Sequence, residues 1–403
     1  EANIDALSSA QVKERIAAAA PDMVAITNMS LEYWRQAHHC AKLAKEVAHS
    51  LPVVMGGVHA TVLPGKVLED KNIDYLVLGE GEERFPRLIK ALETGEDLGR
   101  LDGIAYRQGG EVRIQSPQIW MEDLDRLPFP DYTEFDWRKV MNAGQKSAVG
   151  LGSRRTPVAS ILTSRGCRYR CCFCAGYLCM GRNVRFRSAE NVLQEIDMLV
   201  TNYGVREVIF MDDEMYADRE RGLKIIQGLL ERKYDLLWKN LNLASWKSDR
   251  DLLALMKESG CYQITISPES GNPRVLREII HKPGTMDQCR NVVRWCHEFD
   301  IEVDADFVIG FPGETMAEIM DTVRFAEELD ADAVKFAIAT PFPGTELHQR
   351  AVESGCLSAD FEFYRDDALG FAKGFITTSE FTPEELHALR AREWDRINFR
   401  TVE

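Results

Sequence analysis

Strand-like runs and helical segments alternate almost from one end of the sequence to the other. Six apolar, strand-forming runs lie between residues 158 and 339, and segments with helical periodicity separate them. The strands are predicted near 158–163, 207–211, 238–244, 262–267, 302–309 and 333–339, and the helices near 188–203, 218–232, 249–259, 285–299 and 314–329. This alternation is typical of a parallel sheet with crossover helices. Six such units predict a partial (β/α)6 TIM-type barrel, open on one side compared with the eight-stranded form.

A second, shorter series of strands precedes the barrel. Buried-strand runs at 23–27, 52–55 and 74–78 are each followed by turn residues or a helical stretch, the last of which ends near Leu92. A doubly wound domain normally has two further strands ahead of such a series. The chain starts at Glu1 rather than at methionine. We interpret its first part as the later portion of a Rossmann-like domain whose N-terminal strands are missing.

Domain boundaries follow from these patterns. We predict an α/β protein with four parts: a Rossmann-like domain (1–100), a linker with short hairpin-like pieces (101–152), the partial barrel (153–345) and an α-rich C-terminal extension (346–403). A helix is expected near 383–398. Four aromatic residues of the extension are interpreted as core, with an apolar substrate pocket as the alternative: Phe361, Phe363, Tyr364 and Phe371.

The charge balance limits the kinds of partner. The chain has 49 Lys and Arg against 64 Asp and Glu, a net charge of −15, which disfavours a nucleic-acid backbone as a substrate. It has no apolar run of the roughly 20 residues that a membrane span needs, and its first residues lack the basic and apolar regions of a signal peptide. We therefore expect a cytoplasmic protein with no nucleic-acid partner and no membrane span.

Five of the ten cysteines lie within thirteen residues, directly after the first barrel strand. Only Cys167, Cys171 and Cys174 fit a CxxxCxxC spacing, in which one loop carries three thiolates, and Cys172 is expected to face elsewhere. Iron–sulfur clusters ordinarily take four cysteines, so three would leave one iron open for chemistry. The alternative is a structural zinc site with Cys172 or Cys179 as the fourth ligand, but zinc motifs usually contain a second separated pair.

Polar residues and glycines also follow the later strands, at the edge where catalytic groups of such barrels collect. Taken singly, each could be a helix cap, a solvated loop acid or a turn residue. Their order at the ends of consecutive strands favours one shared site. They are Asp212, Asp213 and Glu214 after the second strand, Glu269 and Ser270 after the fourth, and Gly310 after the fifth.

Together with the cysteine loop, these motifs resemble the radical S-adenosylmethionine (SAM) superfamily, whose cluster motif is CxxxCx-aromatic-C. The resemblance implies a [4Fe–4S] cluster on Cys167, Cys171 and Cys174, with SAM on the open iron and its cleavage to a 5′-deoxyadenosyl radical. Asp-Asp-Glu stands where the family often has Gly-Gly-Glu, and Pro268 is a second departure. The implied SAM contacts are Phe173, Asp212, Asp213, Glu214, Glu269, Ser270 and Gly310.

Small residues at the strand ends of the first domain would let a large cofactor approach the backbone there. No GxGxxG motif indicates a dinucleotide. The series resembles the later half of the cobalamin-binding domain of class B radical SAM enzymes, without the DxHxxG motif whose histidine binds cobalt. We interpret His59 as a loop histidine beside the corrin or nucleotide tail. The implied cobalamin contacts are Thr27, Asn28, Gly56, Gly57, His59, Gly79, Glu80 and Gly81.

The combined resemblance implies a cobalamin-dependent radical methyltransferase that methylates an unactivated carbon of a small-molecule, tetrapyrrole or lipid substrate. The alternative is an oxidative cyclase or rearrangement enzyme with the same cofactors, as in the anaerobic magnesium-protoporphyrin monomethyl ester cyclase. A tRNA methylthiolation enzyme would need a second cysteine-bound cluster in the first domain, which has only Cys40. An external low-potential electron donor, such as flavodoxin or ferredoxin, is expected as a partner.

Overall fold

A computed structural model describes residues 7–133, 136–142, 152–357, 361 and 373–399. The chain divides into two compact units, one formed by Glu1–Glu122 with Ala175–Gly181 and the other by Asp123–Cys174 with Arg182–Glu403. Among the predicted tail aromatics, Phe363, Tyr364 and Phe371 lie outside the described residues. No helix of the described part is both long and apolar enough to cross a membrane.

The N-terminal unit is built on a five-stranded sheet. Its strands are β1 (Val24–Thr27), β2 (Val53–Gly56), β3 (Tyr75–Val77), β4 (Ile104–Gln108) and β5 (Glu111–Ile114). Its helices are α1 (Ser9–Ala19), α2 (Trp34–Val47), α3 (Val58–Val62), α4 (Pro64–Val67) and α5 (Arg84–Thr94). The three predicted strands are confirmed, whereas helices α1, α3 and α4 were not predicted.

Strands β1, β2 and β3 pair in parallel, with Val24 opposite Val53 and Val54 opposite Tyr75. The central strand β2 is apolar on both faces because helices cover both sides, and its Val53 and Met55 are fully buried. The hairpin-like pieces of the predicted linker form β4 and β5, and β4 pairs antiparallel with β3. Burial of Ala105 explains why this hairpin joins the sheet.

The second unit contains a six-stranded parallel sheet in consecutive order from β6 to β13, with a two-stranded β7–β8 ladder outside it. Its sheet strands are β6 (Val158–Ile161), β9 (Glu207–Phe210), β10 (Leu237–Asn240), β11 (Cys261–Glu269), β12 (Glu302–Ile309) and β13 (Ala333–Ile338). The ladder pairs β7 (Ser164–Arg165) with β8 (Arg185–Phe186). All six predicted barrel strands are confirmed. Strand β10 ends earlier than predicted because the Asn240 side chain accepts a hydrogen bond from the Asn242 amide and turns the chain.

Five helices connect the sheet strands where the sequence predicts them and the helix near 383–398 is also confirmed, whereas helices at 137–142, 176–180 and 346–353 were not predicted. The helices are listed in chain order. They are α6 (Trp137–Asn142), α7 (Gly176–Met180), α8 (Ala189–Tyr203), α9 (Arg219–Arg232), α10 (Arg250–Glu258), α11 (Met286–Glu298), α12 (Met316–Glu328), α13 (Glu346–Glu353) and α14 (Pro383–Asn398). Side chains at the N-caps accept backbone N–H groups and so fix where the crossover helices begin, at Ser188, Asp218, Asp249, Thr285 and Thr315. Helix α7 belongs to the N-terminal unit, where it packs on α3.

The barrel sheet has one apolar and one polar face. On β12, buried Val303, Ala305 and Phe307 alternate with the partly exposed Asp304 and Asp306. A period of two places alternate side chains on opposite faces of a strand. The polar face therefore carries the charged residues that stand at the carboxyl-end site.

Gly310 marks a close approach between the end of β12 and helix α14. Its φ is +91°, and a Cβ there would lie 2.4 Å from the Cδ1 atom of Leu386. Gly313 has a φ of +85° with open space around it. An alanine there would therefore strain the backbone without contacting another side chain. We expect Gly310→Ala to lower the free energy of unfolding by about 3 kcal/mol and Gly313→Ala by about 1 kcal/mol, measured by denaturant titration. If the two variants lost the same free energy of unfolding, the Leu386 side chain would move aside without an energetic penalty.

Candidate active site

The cysteine loop leaves the carboxyl end of β6 and is closed at its base by the β7–β8 ladder. Ser164 pairs with Phe186 and Arg165 with Arg185. Two strands of two residues each are too short to be recognised from periodicity, so the sequence did not predict them. The ladder holds the two ends of the loop together.

The three motif cysteines influence one another electrostatically. Burial raises the pKa of Cys171 to about 12, and the nearby thiols of Cys174 and Cys167 add to the rise. Burial likewise raises the pKa of Cys167 to about 11, with a contribution from Cys174. The Cys174 amide donates to the Cys171 carbonyl over 3.1 Å. One turn therefore gathers three thiols, which fits a cluster held from a single loop.

Cys172 faces away from these thiols. It is 1% exposed, its amide donates to the Ile280 carbonyl over 2.9 Å, and its carbonyl accepts the Leu347 amide over 2.8 Å. Burial raises its pKa to about 12, the Arg350 charge acts against this rise, and Glu346 and Cys171 add to it. Cys172, one of the two candidate fourth ligands of the zinc alternative, is thus held in the core by its backbone bonds to Ile280 and Leu347. Within the described ranges, which include the three motif cysteines, no group of three His, Cys, Asp or Glu side chains is placed to hold a single metal ion.

The aromatic residue of the motif joins the loop to the opposite part of the sheet. The Phe173 ring lies 5.9 Å from the Phe311 ring, centroid to centroid, at an angle of 45°. Phe311 follows the end of β12 and is fully buried. The contact between the two rings fixes the loop relative to the fifth barrel strand.

Asp212 holds the ends of two strands together. Its carboxylate accepts the Thr163 amide at 3.0 Å, the Thr163 hydroxyl at 2.8 Å and the Ser164 hydroxyl at 2.5 Å. Arg221 donates to the Thr163 carbonyl beside it over 2.6 Å. Asp212 is completely buried, so all of these bonds form away from water. The Asp212 carboxylate therefore accepts hydrogen bonds from the ends of neighbouring strands and serves to hold the fold together.

Glu214 has the opposite character. It is 5% exposed, and its Oε2 atom lies 3.5 Å from the Lys247 Nζ and 3.7 Å from the Arg168 Nε. Its Oε1 atom is buried and has no hydrogen-bond partner. Asp213, between the two, is exposed and uses its carbonyl to accept the Asn242 side chain. Because an unpartnered buried oxygen is costly, Glu214 is prepared for a donor such as an ammonium group.

The end of β11 is irregular at Pro268. The pairing of β11 with β12 shifts between Ile266 and Glu269, and Glu269 has a φ of +64°. Its carboxylate accepts the Lys282 ammonium over 2.7 Å. Ser270 is fully buried, with its hydroxyl 3.0 Å from that of Thr322. The proline departure therefore produces a bulge that turns Glu269 toward Lys282, while Ser270 supports the turn.

Asp306 is a candidate binding residue that sequence reasoning missed. Its Oδ1 atom is buried without a hydrogen-bond partner and lies 3.9 Å from the Lys335 Nζ. Burial raises the pKa of Asp306 to about 6, and the charges of Glu269 and Lys282 also act on it. The signal was present in the sequence as three acids, Glu302, Asp304 and Asp306, at alternate positions of an otherwise apolar strand.

Gly310 is held in a turn closed by Glu314. The Glu314 Oε2 atom accepts the amides of Gly310 and Phe311 at 2.8 and 3.0 Å. Glu314 is 1% exposed, and burial raises its pKa to about 7. The turn shapes the carboxyl end of β12, and Gly310 itself is required by the contact with Leu386.

In the N-terminal unit, small residues form an accessible row at the ends of β1, β2 and β3. Thr27 is exposed, and Gly56, Gly79 and Gly81 are partly exposed. Met29, in the loop after β1, is 68% exposed. An exposed methionine beside accessible glycines offers a large apolar ring system a surface without side-chain obstruction. The row therefore fits a bulky planar cofactor such as cobalamin.

Gly57 and Asn28 pack against each other below this row. A Cβ on Gly57 would lie 2.5 Å from the Asn28 carbonyl oxygen, and the φ of Gly57 is +89°. Asn28 is 3% exposed. Glu80, at the end of β3, accepts the Met121 amide over 3.2 Å and therefore also has a role in holding the loop.

His59 is completely buried and hydrogen-bonded. Its Nδ1 atom lies 3.2 Å from the Asn28 Nδ2, and its ring centroid is 5.4 Å from that of His38. Burial lowers the pKa of His59 to about 3, and the nearby His38 acts in the same direction. The Nδ1 of His38 in turn lies 2.6 Å from the Asp70 carboxylate. A neutral, enclosed imidazole of this kind supports Asn28 and has no accessible nitrogen for cobalt.

The fold and the site define a class: an α/β enzyme with a three-cysteine cluster loop on an open barrel and a separate cofactor-binding sheet. The Radical SAM superfamily matches residues 161–326, and the B12 binding domain matches residues 1–89. The chain belongs to the B12-binding radical SAM superfamily. A [4Fe–4S] cluster, SAM and cobalamin are its cofactors.

Two relatives with at least 30% identity are named as methyltransferases. An uncharacterized methyltransferase of Pyrococcus horikoshii is 33% identical over 338 residues, covering 84% of this chain and 71% of the relative. The cytidylyl-2-hydroxyethylphosphonate methyltransferase of Streptomyces wedmorensis is 30% identical over 402 residues, covering 92% and 74%. The anaerobic magnesium-protoporphyrin IX monomethyl ester cyclase of Rubrivivax gelatinosus is 28% identical over 349 residues. The matched region covers 85% of this chain and 60% of the cyclase.

Solved structures share the fold at lower identity. The radical SAM methyltransferase TsrM from Kitasatospora setae has a TM-score of 0.73 at 20% identity, covering 87% of this chain and 69% of its own. The cobalamin-dependent radical enzyme OxsB has a TM-score of 0.67 at 18% identity, covering 85% and 48%. At these identities the likeness concerns the fold alone.

Proposed function

We propose that the chain is a cobalamin-dependent radical SAM methyltransferase that methylates an unactivated carbon of a small-molecule, tetrapyrrole or lipid substrate. The observation that carries the proposal is that two relatives with at least 30% identity, each matched over more than two thirds of its length, are named as methyltransferases. When bound, the cluster and SAM supply a radical that removes a hydrogen atom from carbon, and cobalamin supplies the methyl group.

In this proposal, Cys167, Cys171 and Cys174 bind the cluster and Phe173 holds their loop in place. The grouping of the three thiols on one turn supports the assignment. Because three cysteines leave one iron without a protein ligand, SAM has a coordination position there.

SAM would be oriented by the groups with unused hydrogen-bonding capacity. Glu214 receives the ammonium at its unpartnered Oε1, and Asp306 receives a ribose hydroxyl at its unpartnered Oδ1. Lys282 and Glu269 form a charged pair next to Cys171 and complete the polar wall. Asp212, Ser270 and Gly310 act indirectly, by fixing the strand ends that carry these groups.

Cobalamin would lie on the accessible row of the N-terminal unit, over Thr27, Gly56, Gly79 and Gly81. Small side chains there allow its ring to approach the backbone. Gly57, Asn28, His59 and Glu80 support the loops of the row. The geometry of His59 argues against its use as a cobalt ligand.

The experiment that tests the proposal follows the methyl group. The protein is reconstituted anaerobically with iron, sulfide and hydroxocobalamin, reduced, and given SAM labelled on its methyl carbon. We expect the label to appear on the bound cobalamin, with S-adenosylhomocysteine formed in equal amount. Formation of 5′-deoxyadenosine with the label recovered only in methionine and in unreacted SAM would overturn methyl transfer.

That second outcome would favour oxidative cyclisation or rearrangement. The similarity to the magnesium-protoporphyrin cyclase, over 85% of this chain, is the specific observation behind this alternative. A cyclase would use the same cofactors, so the residues of the site do not distinguish it from a methyltransferase. The fate of the methyl label does.

A further inference from the structure

A short segment of the chain links the cysteine loop to the sheet of the N-terminal unit. Residues Ala175–Gly181 follow Cys174 directly and belong to the N-terminal unit, and we call them the crossing segment. Helix α7 lies in the crossing segment and packs on α3. The position of Cys174 is therefore tied by the backbone to a helix that packs inside the N-terminal unit.

Helix α3 holds together the ends of β2 and β3, where the accessible row lies. The Thr61 hydroxyl, on α3, donates to the Gly57 carbonyl over 2.8 Å and accepts the Gly79 amide over 2.8 Å. A hydroxyl can make both bonds at once, because it is a donor and an acceptor. The helix that α7 packs on is thus the one that fixes the spacing of the two strand ends.

The Trp120 ring makes a second connection between the crossing segment and the accessible row. A Cβ on Gly79 would lie 3.2 Å from the Cη2 atom of this ring, and a Cβ on Gly181 would lie 3.1 Å from its Cε2 atom. Gly79 belongs to the accessible row, and Gly181 ends the crossing segment. One indole ring therefore packs against a glycine of each.

Trp120 is held from both sides along the chain. Arg84 donates to the Ile119 carbonyl, and the Met121 amide donates to the Glu80 carboxylate over 3.2 Å. The Arg84 guanidinium is also 5.3 Å from the centre of the Trp120 ring. Because closely packed groups transmit displacements to one another, a ring held in this way passes a shift of Gly181 on to Gly79.

These contacts connect cluster loading to the order of the accessible row. Metal binding orders the segments that carry its ligands. Cys174 is the motif cysteine next to the crossing segment, so a cluster on it limits the positions that α7 and Gly181 can take. The contacts of α3 and Trp120 then limit the positions of the strand ends. A site that is ordered beforehand binds its ligand more tightly, because less freedom is lost on binding.

We propose that Trp120 is a positioning residue that couples the two cofactor sites, so that a loaded cluster tightens the binding of cobalamin. The proposal rests on two assignments of the proposed function, Cys174 as a cluster ligand and cobalamin on the accessible row, and not on the reaction that follows. No covalent bond forms or breaks in this coupling. By linkage it acts in both directions, so bound cobalamin also stabilises the cluster.

The test measures the affinity of the full chain for hydroxocobalamin with and without its cluster. Iron is removed with a chelator or restored anaerobically, and free cobalamin is measured by its absorbance after equilibrium dialysis. The parent is compared with Trp120→Ala and with Trp120→Phe, whose shorter ring keeps the Gly181 side and does not reach Gly79. The control, Trp295→Ala, removes an indole from α11 in the other unit. Iron content and thermal unfolding establish that each protein is folded and loaded.

We expect cluster loading to tighten hydroxocobalamin binding by at least about fivefold in the parent and in the control, the lower end of typical coupling between two sites. The ratio of the two affinities should fall to within about twofold in Trp120→Ala and lie between these limits in Trp120→Phe. Equal affinities of the loaded and unloaded parent would overturn the proposal. So would a Trp120→Ala variant that binds more weakly in both states by the same factor, because the ring would then only stabilise the sheet. If Trp120→Ala does not fold, an unchanged ratio in Trp120→Phe overturns it.

A second readout follows the cluster instead of cobalamin. Hydroxocobalamin should raise the chelator concentration that removes half of the iron in the parent, and should leave it unchanged in Trp120→Ala. The methyl label tests the reaction separately. Tighter binding without label transfer would leave the coupling in place and overturn the proposed function, whereas label transfer with equal affinities would do the reverse.

Discussion

Cys171→Ala is expected to abolish 5′-deoxyadenosine formation, with a loss of more than about 100-fold. The estimate follows from metal sites in general, where removing a group that only orients a ligand already costs about 10- to 100-fold. Cys172 is not placed to replace a lost ligand, because it is 1% exposed and its backbone is bonded to Ile280 and Leu347. Iron content, the visible absorbance of the cluster and mass spectrometry of SAM products measure the effect.

The matched control is Cys172→Ala, one residue along the same loop. Its backbone hydrogen bonds to Ile280 and Leu347 do not depend on the side chain. We expect this variant to keep its iron and to cleave SAM at a rate within about threefold of the parent, since small apolar replacements in cores cost little. Equal loss of iron in the two variants would show that Cys172 is a ligand and that the thiols rearrange on loading.

Glu214→Gln is expected to weaken SAM binding by about 10- to 100-fold, because a hydrogen bond between charged groups contributes about 1.5–3 kcal/mol. The free energy of unfolding should change little, since Glu214 forms only long contacts with Lys247 and Arg168. Asp212→Asn should do the reverse. Three hydrogen bonds end on Oδ1, so the introduced amide nitrogen would take the Oδ2 position and face the Thr163 backbone N–H, which lowers the free energy of unfolding by about 1–3 kcal/mol.

Isothermal calorimetry with SAM and thermal unfolding separate the two effects. Each variant removes one negative charge from the same three-residue motif, so each is the control of the other. If Asp212→Asn weakened SAM binding as much as Glu214→Gln while leaving the unfolding temperature unchanged, the division between a supporting and a binding carboxylate would be wrong.

The strands of the barrel could be predicted because each is apolar on at least one face and bounded by turn residues. All six appear within a few residues of their predicted limits. Spacing alone also separated Cys172 from its neighbours. Information of this kind is local, since it depends on how often apolar residues recur along the chain and on short turns.

Pairings between distant segments could not be predicted. The β4–β5 hairpin joins the N-terminal sheet because Ala105 is buried there, and the β7–β8 ladder depends on contacts twenty residues apart. The same limit applies to the site. The sequence placed Asp212 and Glu214 in one motif, but only the hydroxyls of Thr163 and Ser164 distinguish them. Asp306 was missed because its importance depends on an unpartnered oxygen.

The placement of helix α7 restricts how this chain can be taken apart. The chain leaves the second unit directly after Cys174, contributes Ala175–Gly181 to the N-terminal unit, and returns at Arg182. Domains that are exchanged as modules usually join through a single exposed linker. Here a deletion of residues 1–122 would leave α7 inside the cysteine loop without α3, the helix it packs on. A barrel taken out of this chain would have to be cut at two further points, on either side of Ala175–Gly181.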